Sequence, residues 1–154
     1  PLMRILVYTN VLLISAEPGH AHFQFSVEAI DLLRSHGHDL VIVRQILYEY
    51  WSVATRPLAN NGFGLSPAEA TVELAMLRRL FRLLQDERGI YSMWHDLVVQ
   101  HAVRGKQAHD ARLAAAAQRH LITHVLIFNT ADFQRYSFLT AVSPSDICSG
   151  AITI

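Results

Sequence analysis

Cysteine and lysine occur once each in these 154 residues, as Cys148 and Lys106, and the formal net charge is zero. A single cysteine excludes an internal disulfide framework, and neither a base nor a second thiol stands beside Cys148 to suggest a metal site or a nucleophile. A reducing, cytoplasmic setting fits. Zero net charge excludes a global field for nucleic acid, so any such function must come from local arrangement. No apolar run approaches the ~20 residues that a membrane span needs, which predicts a soluble chain without membrane contact. The opening Pro1-Leu2-Met3-Arg4 lacks the charged, apolar and small-residue zones of a secretion signal.

What is abundant is apolar surface, 51% of residues. That suffices for one sizeable core, expected over residues 1–144 with a tail at 145–154. Arg4-Ile5-Leu6-Val7 reads as a buried first strand that stops at a loop around Thr9-Asn10. From about His22 to Ser35, Val27, Ile30 and Leu33 fall at helical spacing, and Gly37 closes the segment. Leu40-Val41-Ile42-Val43 gives a second strand, followed by a helix from Gln45 to Ala54 with Leu47, Trp51 and Ala54 inward. Thr55 to Leu65 is a loop by composition.

Ser66-Pro67-Ala68-Glu69 combines a serine N-cap, a proline at the first helical position and a glutamate closing a capping box. A long helix to about Leu84 is expected, with Val72, Met76, Leu80 and Leu83 inward and Arg78, Arg79 and Arg82 on a solvated face. Ile90, Met93, Trp94, Leu97, Val98 and His101 predict another helix, and an alanine-rich one runs from Gln107 to Arg119. Val125-Leu126-Ile127-Phe128 is a third strand, a weaker fourth surrounds Ala141 and Val142, and Ser143 onward reads as tail. Apolar strands alternating with helices predict an α/β fold: a short parallel sheet with helices on both faces.

Ligands of such a sheet gather beyond the carboxyl ends of its strands. That directs attention to residues 8–10 and to Asn129-Thr130-Ala131-Asp132-Phe133. Asp132 alone reads equally as a turn former, Asp110 as a helix-dipole cap, and Glu49 as a surface residue about 200° from Leu47 and Trp51.

Together the acids suggest more. Val7-Tyr8-Thr9-Asn10-Val11-Leu12-Leu13, Leu47-Tyr48-Glu49-Tyr50-Trp51, His109-Asp110-Ala111-Arg112-Leu113 and Phe128-Asn129-Thr130-Ala131-Asp132-Phe133 resemble, in order and spacing, the motifs of the PIN-domain ribonucleases. The likeness is strongest to the toxins of VapBC-type toxin–antitoxin pairs. It implies a PIN-like three-layer sandwich and an acidic cluster of Glu49, Asp110 and Asp132 holding Mg²⁺ or Mn²⁺, supported by Asn10, Asn129 and Thr130. Hydrolysing a phosphodiester needs an activated water and relief of charge on the phosphorane; hard ions on carboxylate oxygens supply both. The family's first acid is missing, because Tyr8 stands where an aspartate is expected. A neutral phenol is a poor ligand for a hard ion and is bulkier than a carboxylate, so the resemblance implies an endoribonuclease impaired by Tyr8. An Asp codon becomes a Tyr codon by one base change, as expected of a loss-of-function substitution in a toxic enzyme. The alternative is a catalytically silent PIN-like domain that binds an antitoxin or RNA.

Arg56, Arg104, Lys106 and His109 flank the loops beside the expected cluster and are the candidate RNA contacts. The pairs His20/His22 and His36/His38 lack a further ligand at zinc spacing. By the same resemblance the chain should form a homodimer and meet a cognate antitoxin over the cleft; Phe23, Phe25, Tyr50 and Trp51 serve equally as apolar contacts there or as core residues.

Overall fold

The computed structural model describes residues 2–154; Pro1, at the head of the expected run into the first strand, lies outside them. The chain runs β1 (Arg4–Val7), α1 (Thr9–Ser15), α2 (Phe23–Ser35), β2 (Asp39–Val43), α3 (Arg44–Thr55), α4 (Pro67–Leu80) and β3 (Arg82–Leu84). It continues through α5 (Ile90–Gln100), α6 (Gln107–Arg119), β4 (His124–Leu126), β5 (Thr140–Val142) and α7 (Pro144–Ser149), with single 3₁₀ turns at Leu58–Asn60 and Thr130–Phe133. The five strands form one sheet in the order β3-β2-β1-β4-β5, every neighbouring pair parallel. Right-handed crossovers carry α1 to α4 over one face as the chain steps from β1 to β3. The return from β3 to β4 lays α5 and α6 over the other, completing the expected three-layer α/β sandwich. The central strands are apolar on both sides: Ile5, Leu6, Val7, Val41, Ile42, Val125 and Leu126 are fully buried.

Several expectations are corrected. Thr9-Asn10 does not end in a loop but opens α1, whose first turn hydrogen-bonds back to the Tyr8 carbonyl. The helix beginning at the capping box, where Ser66 and Glu69 satisfy each other's backbone N–H groups as expected, stops at Leu80 rather than Leu84. Phe81 turns extended and is buried, with the Arg34 guanidinium over its ring at 4.8 Å. Arg82–Leu84 then pairs with β2, and Arg82 bonds Asp39 at 2.9 Å. Burial of Phe81 and Leu84 and the ladder to β2 outweigh the helical period that Leu80 and Leu83 continue.

The inward stripe of α4 is also reversed. Ala70 and Leu77, two turns apart, face the core. Val72, Met76 and Leu80 sit roughly 200 to 280° round from Ala70 at 100° per residue, and are exposed. The expected tail after Ser143 is partly helical: Ser143 caps α7 through the Asp146 N–H, and Ile147 is buried as α7 packs on α2. Of the aromatics that read equally as contacts or core, Tyr50 is buried in the core, Phe25 is exposed, and Phe23 and Trp51 are half-buried. No helix among the described residues is long and apolar enough to cross a membrane.

Candidate active site

β1 and β4 lie side by side, yet the chain leaves them toward opposite edges of the sheet, to β2 and to β5. A crevice must open beyond their carboxyl ends, since no connection crosses it. Tyr8 ends β1 there and caps α1, while Asn129 and the Thr130–Phe133 turn follow β4. Two helices bring the other acids. Glu49 projects from α3, and Asp110 from the first turn of α6. α6 can come close to its neighbours because the residues it buries are nearly all alanine: Ala111 and Ala114 to Ala117, with Leu113, are fully buried.

The Tyr8 hydroxyl donates to Asp110 Oδ1 at 2.8 Å, and Phe133 meets the phenol edge-on with centroids 5.8 Å apart. Thr9 Oγ1 donates to Glu49 Oε1 at 2.6 Å and Gln45 Nε2 to Glu49 Oε2 at 3.2 Å. Asn129 Nδ2 donates to Asp132 Oδ1 at 3.0 Å. Burial and then the charge and hydrogen bond of Asp110, with smaller contributions from Glu49 and Asp132, hold the phenol far above its ordinary range. The neutral phenol is a hydrogen-bond donor to Asp110. Asp110 itself is pushed up by burial, a shift that the Tyr8 hydrogen bond opposes and that the charges of Asp132 and Glu49 increase.

Of the four positions singled out in the sequence, Tyr8 and Asp110 touch, while Glu49 and Asp132 act on the phenol only through their charge. Their supports differ from expectation: the side chains of Asn10 and Thr130 make no hydrogen bond to an acid among the described residues, and Asn10 Oδ1 is buried without a partner. Thr9 and Gln45 act in their stead. Asn10 follows Thr9 into α1, where successive side chains point about 100° apart, so only Thr9 faces α3.

Gln45 also donates to the His109 carbonyl at 2.8 Å and accepts from Arg112 Nη1 at 3.2 Å, tying α3 to α6. Gln45 lies outside the motif segments and Arg112 lies inside one without an assigned role; the signal for Gln45 was its position one helical turn before Glu49. Lys106 heads α6 and His109 is exposed one turn on, close enough to Asp110 to favour its charged form. Arg104 is exposed in the preceding turn. Arg56 ends α3, roughly 10 Å beyond Glu49 along the helix axis.

As they stand, these residues do not fit a hard divalent ion. Among the described residues no three His, Cys, Asp or Glu side chains gather closely enough to hold one. The one oxygen at the centre of the acids carries a proton aimed at Asp110.

No protein-family model and no curated protein matches the sequence. Solved structures do. A chain of VapBC-1 from nontypeable Haemophilus influenzae superposes with a TM-score of 0.68 at 15% identity, covering 93% of this chain and 99% of that one. The fold is that of the VapC PIN-domain toxins. VapBC2 from Rickettsia felis, solved with a DNA fragment from its promoter, gives 0.67 at 13% identity over 92% of this chain and 98% of that one. VapC20 of Mycobacterium tuberculosis, a toxin that cleaves the sarcin-ricin loop, gives 0.58 at 18% over 79% and 86%. In this fold the crevice beyond β1 and β4 holds the Tyr8–Asp110 contact.

Proposed function

We propose that this chain is the toxin of a toxin–antitoxin pair: an endoribonuclease frame of PIN type, built for Mg²⁺ or Mn²⁺ and impaired by Tyr8. The observation that carries the reading is the Tyr8–Asp110 hydrogen bond at the topological switch point, with Glu49 and Asp132 around the same phenol. A carboxylate at position 8 would add a fourth acid to a pocket already short of compensating charge, and such a pocket recruits a cation. The phenol instead brings no charge and occupies one oxygen of Asp110 with its own hydrogen bond. Thr9 and Gln45 still orient Glu49, so the frame is preorganised while its central ligand is missing.

RNA is the proposed substrate, with His109, Lys106, Arg104 and Arg56 as candidate phosphate contacts. A cognate antitoxin and a second copy of the chain are the proposed protein partners, in the cytoplasm. The exposed Val72, Met76 and Leu80 of α4, above a groove of about 470 Å³ that includes Leu12, Ile30 and Leu77, support a protein partner.

The test compares the chain with Tyr8→Asp on structured RNA with Mg²⁺ or Mn²⁺, alongside calorimetric titration of Mn²⁺. Tyr8→Asp is expected to gain at least about 10- to 100-fold in ion affinity and in cleavage, the scale attached to losing even an outer ligand contact. Equal cutting by both proteins removes the claim that Tyr8 impairs the site. The missing three-ligand group favours a second reading, a silent PIN-like domain that only binds antitoxin or RNA. That reading holds if Tyr8→Asp gains neither ion nor cleavage while partner binding persists.

A further inference from the structure

Beside the acidic crevice, also at the carboxyl edge of the sheet, the loop after β3 leads into α5 and forms the wall of a second cavity of about 420 Å³. Glu87, Arg88, Ile90, Tyr91, Trp94 and Arg112 line it. Its chemistry differs from that of the crevice. Tyr91 is 69% exposed, although a phenol ring on a well-packed helix ordinarily buries much of its apolar face. Its ring lies 5.8 Å from Trp94, tilted by 36°, and 6.3 Å from His95, nearly parallel at 25°, so Tyr91 stands between two further aromatic rings. Trp94 is fixed in this position by donating from Nε1 to the Ala108 carbonyl at 2.8 Å, at the start of the helix that carries Asp110.

The charges are arranged to receive an anion-bearing, flat ligand. Glu87 is neutralised by a two-pronged contact with Arg119. Gly89 permits this, because a Cβ there would stand 2.7 Å from Arg119 Nε. Arg112 is shared between Asp86 at 3.5 Å and Gln45. Arg88 is exposed and makes no ion pair among the described residues, leaving the cavity one uncompensated guanidinium. Continuity with the crevice runs through polar groups: Arg112 bonds Gln45, and Gln45 bonds Glu49. A strand held at Glu49 and Asp110 therefore reaches this cavity within a nucleotide or so of its backbone.

We propose that Tyr91 and Trp94, with Arg88, form a stacking subsite for an unpaired base of the RNA, next to the acidic crevice. Flat aromatic planes accept any base by its face, and a guanidinium beside them takes the adjoining phosphate. The subsite rests on the ribonuclease reading above and adds to it the form of the substrate: single-stranded or looped RNA with a base flipped toward α5.

The experiment measures anisotropy of a labelled single-stranded oligoribonucleotide and of an abasic chain of equal length, binding the full chain and its Tyr91→Ala, Tyr91→Phe and Arg88→Ala variants. Sedimentation velocity is run on the same samples. Tyr91→Ala is expected to weaken binding of the base-bearing strand about fivefold or more, the lower end of base–aromatic stacking, and to leave the abasic strand unchanged. Tyr91→Phe retains binding. Arg88→Ala lowers the slope of log affinity against log salt by about one. If the parent chain binds no RNA, the ribonuclease reading fails and the subsite with it. If the parent binds and Tyr91→Ala binds equally, or loses both strands alike, the subsite alone is overturned. It is likewise overturned if Tyr91→Ala changes the oligomeric state, which assigns this face to a second copy of the chain.

Discussion

α6 and α4 are both amphipathic by sequence and of similar length, yet they are held in opposite ways. α6 buries five alanines and Leu113 completely, with α5 packed along it, and carries Asp110 in its first turn. α4 is anchored by Ala70 and Leu77 and leaves Val72 65%, Met76 47% and Leu80 48% exposed. A helix packed without clearance fixes its first turn to within a fraction of an ångström, which is what a side chain in a reactive cleft requires. A helix on two anchors fixes only its own path.

The contrast can be broken by substitution. Ala115→Glu places an unpaired carboxylate at a fully buried position of α6 and is expected to cost more than about 4 kcal/mol, leaving little folded protein by circular dichroism. A folded Ala115→Glu protein would mean that α6 has room to move. Leu77→Ala removes one of the two anchors of α4 and should cost about 2 to 5 kcal/mol in a denaturant titration.

A pH experiment sharpens the α6 side. The folded-state pKa of Asp110 is raised, so between the ordinary carboxylate value of about 3.9 and that raised value the native state holds more protons than the unfolded one. Its contribution to stability is therefore present at low pH and lost as pH rises through the folded pKa. Asp110→Asn should flatten this part of the melting temperature against pH; an unchanged slope would remove Asp110 from the cluster. The smallest effect is expected on α4, where Met76→Gln should change stability by no more than about 0.5 kcal/mol. A large loss there would show that the outer stripe is packed after all.

The two helices also mark how far sequence reasoning reaches. Runs such as Ile5-Leu6-Val7 and Val125-Leu126 are legible as strands because nothing but a doubly covered sheet tolerates them. The alanine helix and the Ser66–Glu69 capping box are legible because each has a local cause. β3 was not: Leu80 and Leu83 keep a helical interval, and only the partner strand and the burial of Phe81 decide otherwise. The direction of the α4 stripe was lost for a related reason, since periodicity identifies a face without saying what lies opposite it.

At the site, Tyr8, Glu49, Asp110 and Asp132 were legible as a set from their order and spacing. Gln45 and Arg112 were not, because a glutamine and an arginine on separate helices acquire a joint role only when the helices meet. The aromatic group on α5 was read as half of an ordinary core stripe through Trp94; the exposure of Tyr91 is a tertiary fact.

Both outer strands of the sheet, β3 and β5, are three residues long. An incoming chain finds there too few open amides and carbonyls to extend the ladder, so strand addition and the fibrous growth that follows from it are disfavoured at either margin. Any assembly the chain forms is thereby left to its outer side chains, and substitutions on α4 or α5 would act on it without disturbing the sheet.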